Sequence, residues 1–180
     1  MRRGLVLARA VPQDARAGTP FRVPLSKGRS LPDVTIRPLR PEDMAEWRRL
    51  WTAYLEFYET SVAPEVYETT FARLLHGGDP NMGCRLALID GKVVGLAHFI
   101  FHNHCWKPEG VCYLQDLFAE PQARGKGVGR ALIRAVYAVA DARDVPTVYW
   151  MTNAANAPAR ALYDQIGALT PFIKYQRSPA

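Results

Sequence analysis

Residues 113–119 form an apolar run, and soon after it the chain reads Arg124-Gly125-Lys126-Gly127-Val128-Gly129-Arg130 and then changes to helical spacing. Few backbones accommodate that order. A strand must stop at Glu120-Pro121, turn tightly and open a helix at once. Glycine has no Cβ, so positions 125, 127 and 129 let the chain turn and let a ligand approach the backbone closely. The helix behind them offers unpaired N–H groups and the positive end of its dipole. A pyrophosphate suits that place, and Arg124, Lys126 and Arg130 add counter-charge. A P-loop would need Gly-Lys-Ser/Thr after four intervening residues, which is absent. A dinucleotide fold would need Gly-x-Gly-x-x-Gly at the start of its domain. The plain alternative is a glycine-rich strand-to-helix turn with no ligand.

The neighbouring patterns extend the reading. Leu132, Val136 and Val139, with Ile133 and Ala140 beside them, predict an amphipathic helix over 127–142. Residues 147–151 read as a strand between Pro146 and Asn153. Asn156 is placed to cap a further helix, with Pro158 in its first turn and Gly167 at its end. A last strand is expected over 169–175. Upstream, 34–40 reads as a strand. Residues 41–59 read as a helix with Met44, Trp47, Leu50, Trp51 and Tyr54 on one side, and 64–75 as a second helix. Gly77 to Pro80 reads as a loop. Strands at 85–89 and 93–101 flank an Asp90-Gly91 turn, and 102–110 reads as a longer loop. The expected order is β-α-α-β-β-β-α-β-α-β, an α/β (α+β) architecture on a mixed, largely antiparallel sheet.

The pattern Arg-x-x-Gly-x-Gly at 124–129, followed by the Asn-capped helix that carries Tyr163, resembles the GNAT N-acetyltransferase superfamily over about residues 34–176. In wording, 113–118, 124–133, 149–152 and 156–164 are similar to the yeast HPA-type acetyltransferases, which act on histone lysines, small basic proteins, polyamines or D-amino acids. The resemblance implies acetyl-CoA as co-substrate and an amine acceptor, a small molecule or a peptide. Pantetheine is expected along Leu117, Phe118 and Ala119, and the pyrophosphate on Arg124, Gly125, Lys126, Gly127, Val128 and Gly129. Asn156 is expected to bond the pantetheine arm, or to serve as a helix cap alone. Tyr163 is expected to point at the CoA sulfur as general acid, since a phenol is protonated at neutral pH; packing beside Leu162 and Ile166 is the alternative. Polyamine acetyltransferases of the superfamily carry Tyr-x-Glu-Asp on the strand before the loop. Here the residues are Tyr113-Leu-Gln115-Asp116, so the Glu is missing and Asp116 is the remaining candidate base, or a structural carboxylate. Tyr113 is placed to hold a water. The aromatic and acidic residues Tyr54, Glu56, Tyr58 and Glu59 would suit a cationic amine. The resemblance also implies dimers through the C-terminal strand.

The chain has 180 residues, 48% of them hydrophobic, enough for one domain with a core. No apolar run approaches the roughly 20 residues of a membrane span. Cys84, Cys105 and Cys112 lack disulfide or metal spacing and read as reduced thiols of a cytoplasmic protein. His98, His102, His104 and Cys105 lack a second ligand cluster, so no metal is expected. Net charge is +6, but seven of 23 basic and only two of 17 acidic side chains fall in residues 1–33. The remainder is close to neutral and gives no argument for nucleic acid. Residues 1–33 carry four prolines and no periodicity, and read as a disordered extension or an upstream start codon. The expected function is acetyl transfer to an amine. A catalytically silent acetyl-CoA sensor is the alternative, and nucleic-acid binding through the basic tail ranks last.

Overall fold

The structure is a computed structural model that describes residues 21–22 and 32–177. Most of the expected tail, and with it the reading of that segment, lies outside the described residues. Among the described residues, six strands form one sheet in the order β1 (Phe21–Arg22), β2 (Val34–Pro38), β3 (Met82–Ile89), β4 (Lys92–His104), β5 (Lys107–Ala119) and β6 (Val148–Tyr149). Neighbours are antiparallel except β5 and β6, which run parallel. The described residues also form four α-helices: α1 (Met44–Phe57), α2 (Pro64–Leu74), α3 (Val128–Asp141) and α4 (Ala157–Tyr163). The chain divides into two units, Met1–Trp150 and Met151–Ala180.

In the first unit the sheet separates two apolar layers. Trp47, Leu50, Trp51 and Leu55 of α1 and Tyr67, Phe71 and Leu74 of α2 bury against Cys84, Leu86, Leu96 and Phe118. On the other face lies α3, whose Leu132, Ile133 and Val136 are fully buried. Each such side chain contributes roughly 1.5–3 kcal/mol. Gly95 is where α3 comes closest: a Cβ there would stand 2.9 Å from Val128 Cγ1 and 2.7 Å from the Phe118 carbonyl oxygen.

Strands β4 and β5 are longer than the sequence predicts. The expected loop at 102–110 is instead a hairpin closed by Cys105 and Trp106, with His104 opposite Lys107. No Asn-Gly or Asp-Gly marks that turn, and the polar run hides the ladder. The strand expected over 147–151 shrinks to two residues, and the helix after Asn156 ends at Tyr163, with turns carrying on to Ile166. The strand expected over 169–175 is not formed; Leu169, Phe172, Ile173 and Tyr175 there are 75–88% exposed. Pro171 removes a ladder donor in mid-segment. No helix among the described residues is long and apolar enough to cross a membrane.

Candidate active site

Strand β5 ends at Ala119, and Glu120 N–H donates to the Val94 carbonyl at 3.0 Å. A single 3-10 turn over Pro121–Ala123 follows, then residues 124–127. Gly125 and Gly127 have φ of 72° and 84°, a conformation that costs a side-chain-bearing residue about 1–2 kcal/mol. Nothing stands within 4 Å of where their Cβ atoms would be. Gly127 is the N-cap of α3, and no side chain caps that helix. The first amides of a helix have no intrahelical acceptor, and here no side chain caps them beside Arg124 and Lys126. Arg124 is exposed, with its guanidinium 5.8 Å from the Phe57 ring centre. Behind the loop, Arg49 of α1 bonds both Glu46 and Glu120, tying the helix to the end of β5.

Two features of β5 open the sheet here. Its edge toward β6 is paired only at Cys112 and Tyr113, so among the described residues no strand covers the stretch from Leu114 to Ala119 on that side. The ladder with β4 also slips: His98 faces Asp116 while Phe99 faces Leu114, leaving Gln115 as an extra residue. This bulge changes which layer each side chain joins. Cys112 and Leu114 pair with Phe101 and Phe99, on the face of α3; Asp116 and Phe118 pair with His98 and Leu96, on the face of α1 and α2.

Asp116 thereby enters a polar cluster inside an apolar layer. His98 Nδ1 lies 2.9 Å from Asp116 Oδ2, and Trp47 Nε1–H donates to His98 Nε2 at 2.8 Å. Trp47, His98 and Asp116 are all buried. Tyr54 stands beside the same carboxylate; burial, then the charge of Asp116 and a hydrogen bond to it, hold the Tyr54 phenol well above the usual tyrosine range. Burial first, and Asp116 second, also raise Tyr113. The Tyr113 ring stacks on Tyr149 with centroids 5.0 Å apart, and the Tyr149 hydroxyl is 3.0 Å from His102 Nε2. Tyr54, Tyr58 and Phe57 pack edge to face around the end of α1, and Tyr54 meets Phe118 at 6.3 Å. Asp116 is thus a buried carboxylate with two phenols beside it, next to the aromatic cluster at the end of α1.

The sequence model of the Acetyltransferase (GNAT) family matches residues 44–168. The D-amino-acid N-acetyltransferase HPA3 of Saccharomyces cerevisiae is 38% identical over 149 residues, covering 81% of this chain and 91% of that protein. The chain belongs to the GNAT family of acetyltransferases. A second GNAT relative, the thialysine N-epsilon-acetyltransferase of Bos taurus, is 27% identical over 75% of this chain and 84% of its own. Solved GNAT structures share the fold. A ribosomal-protein-alanine N-acetyltransferase from Brucella melitensis superposes with a TM-score of 0.68 at 23% identity, over 81% of this chain and 99% of its own. An aminoglycoside N-acetyltransferase in complex with CoA superposes with 0.72 at 17% identity, over 86% and 100%. The protein is an acyltransferase enzyme that transfers acetyl to amines.

Of the residues expected to serve this GNAT enzyme, Leu117, Phe118 and Ala119 end β5, opposite Ala97, Leu96 and Gly95, and residues 124–129 form the loop and the first turn of α3. Asp116 is buried beside them in sequence. Asn156 and Tyr163 belong to the second unit. Asn156 caps α4, its Oδ1 accepting from Ala159 N–H at 3.4 Å; Tyr163 is half-buried at the last position of that helix. The expectation that Asn156 is a cap therefore holds. His98 and Trp47 were not expected at the site. His98 drew notice only as a possible metal ligand, yet both its ring nitrogens are engaged by Trp47 and Asp116. The signal available was its parity with Leu96 on β4, but pairing it with Asp116 requires knowing the bulge. A cleft of about 870 Å³ lies at the other end of the sheet, around Phe99, Phe101 and the C-terminal half of α3, and holds none of the expected site residues.

Proposed function

We propose that this enzyme moves acetyl from acetyl-CoA to a primary amine by direct attack in a ternary complex, with a small amine, an amino acid or a basic-protein lysine as acceptor. The observation that carries the reading is the loop: two left-handed glycines with open space above them, leading into an uncapped helix N-terminus, in a GNAT chain. That arrangement fits a pyrophosphate, with Arg124, Lys126 and the backbone of residues 125–129 as its holders. The uncovered edge of β5 fits the amides of a pantetheine arm along Leu117, Phe118 and Ala119, with Asn156 as a further partner.

Acetyl-CoA supplies the activated thioester. Asp116 takes a proton from the acceptor ammonium, directly or through a water held by Tyr113, and frees the nitrogen lone pair. A backbone N–H near Phe118 steadies the oxygen on which charge develops. As the C–N bond forms and the C–S bond breaks, Tyr163 gives its proton to the departing sulfur, and the second proton shed by the nitrogen as it becomes an amide restores the Tyr163 phenol. An amino-acid acceptor is favoured by the yeast relative's activity toward D-amino acids. The exposed Leu169, Phe172, Ile173 and Tyr175 suit a homodimer, and residues 34–180 are taken as the catalytic domain.

The test is free-thiol release from acetyl-CoA over D- and L-amino acids, thialysine, polyamines, aminoglycosides and histone peptides, with the acetylated product identified by mass. Turnover with one class supports the reading and names the acceptor. Tight acetyl-CoA binding without product on any amine would favour a silent sensor instead.

A further inference from the structure

The proposed scheme uses Asp116 as its base, yet two further buried side chains, His98 and Trp47, are bonded to it in series and have no part in that scheme. An indole N–H can only donate, so His98 Nε2 must accept from Trp47. The ring proton then sits on Nδ1, aimed at Asp116 Oδ2. Trp47 is itself held: its ring centre lies 5.1 Å from those of Trp51 and Phe71 and 6.2 Å from that of Tyr67. With Trp47, His98 and Asp116 at 0%, 3% and 6% exposure, none of the three can turn toward water for a replacement partner. The bulge at Gln115 is what brings the carboxylate to this side of the sheet.

We propose that Trp47 and His98 are positioning residues for the general base: the chain Trp47 N–H to His98 to Asp116 fixes the ring tautomer and clamps Asp116 through Oδ2. The inference rests on the acetyl-transfer reading for its kinetic consequence, but the clamp itself is a property of the resting protein. The groups that face Asp116 are His98 from β4, Tyr54 from α1, Tyr113 from β5 and Cys84 from β3. His98 alone among these donates to it from a ring nitrogen. Removing that N–H takes a donor from the charged carboxylate and makes its ionised form less favourable. It also lets the carboxylate rotate, and a misplacement of about 1 Å at a reacting group costs about 10²-fold.

Three variants test this. His98→Phe removes the donor. His98→Asn keeps an amide N–H near the place of Nδ1. Trp47→Phe frees the tautomer. Each is first checked for cooperative thermal unfolding and for acetyl-CoA affinity by calorimetry. The expected result is a loss in kcat of about 10- to 100-fold for His98→Phe, with KM for acetyl-CoA unchanged and the acid limb of the kcat profile moved to higher pH. His98→Asn recovers most of that loss. Carboxyl carbon NMR of Asp116 reads the same displacement without turnover, and imidazole nitrogen NMR shows Nδ1–H in the parent protein and mixed tautomers in Trp47→Phe. Equal kcat and an unmoved Asp116 titration in a folded His98→Phe protein overturn the inference, as does equal loss in His98→Phe and His98→Asn. Absence of any acetylated product from the parent protein, with the NMR displacement present, instead sinks the acetyl-transfer reading and leaves the clamp standing.

Discussion

In the proposed mechanism Asp116 serves as base because of what its neighbours leave undone. The phenols of Tyr54 and Tyr113 are both raised, so they stay protonated at neutral pH and offer donors, not competing bases. We expect Asp116→Asn to lower kcat by at least about 10²-fold while acetyl-CoA still binds, a split read by steady-state kinetics beside calorimetry. Tyr163→Phe should lower kcat by a similar factor; an unchanged rate would remove Tyr163 from the acid role. The cysteines give a second residue-scale expectation. Burial pushes Cys112 up to about 12 and holds Cys84 above the usual thiol range, so both are protonated thiols at neutral pH. Only Cys105, exposed at the hairpin tip, should alkylate quickly in the folded protein, with the other two reacting after denaturation. Peptide mapping after brief iodoacetamide treatment checks this. The sequence offers Asp116 only as a candidate, the carboxylate left where the Tyr-x-Glu-Asp pattern lacks its Glu. Its partners were not legible, because a contact across two strands depends on a register that no local pattern records.

The loop and α3 were read correctly as an element because their signals are local: three glycines, then apolar residues at helical spacing. The structure adds which glycines matter. Gly125 and Gly127 adopt positive φ, whereas Gly129 lies within the helix. Gly127→Ala should therefore cost about 1–2 kcal/mol of stability and raise KM for acetyl-CoA more than it lowers kcat. Gly129→Ala should be neutral or stabilising in the folded protein, as helix propensity favours alanine by about 1 kcal/mol. Thermal melts and KM for acetyl-CoA separate the two. The strand ends were harder to read. Residues 102–110 look like a loop because their side chains are polar on both faces, yet paired backbones continue through them. Residues 169–175 look like a strand because they are apolar, yet no ladder forms. Hydropathy reports what a side chain prefers; a sheet also needs a neighbour.

At the scale of the molecule, the ion pair of Arg37 with Asp43 ties β2 to the entry of α1. Asp43, 6% exposed, accepts two bonds from the Arg37 guanidinium at 2.6 and 2.7 Å and one from Arg40 N–H at 2.8 Å. Burial alone would raise its carboxyl, but the hydrogen bond from Arg37 and the bond and charge of Arg40 outweigh it and hold the group below the ordinary range. A carboxylate depressed in the folded state lends stability above its unfolded value near 3.9, and that stability drains away as pH falls through the folded value. Asp43→Asn should thus cost on the order of 3 kcal/mol at pH 7 and progressively less below about pH 4, as urea melts at several pH values would show. Strand β5 lines both apolar layers, and its side chains change sides at the surplus residue 115. That residue works as a frameshift does in a message. Before it, even-numbered side chains are addressed to α3; after it, the same parity is addressed to α1 and α2. Exchanging Gln115 for another side chain keeps the phase whatever its chemistry. Deleting it shortens the strand by one position and delivers either the acid or part of α3's wall to the wrong reader.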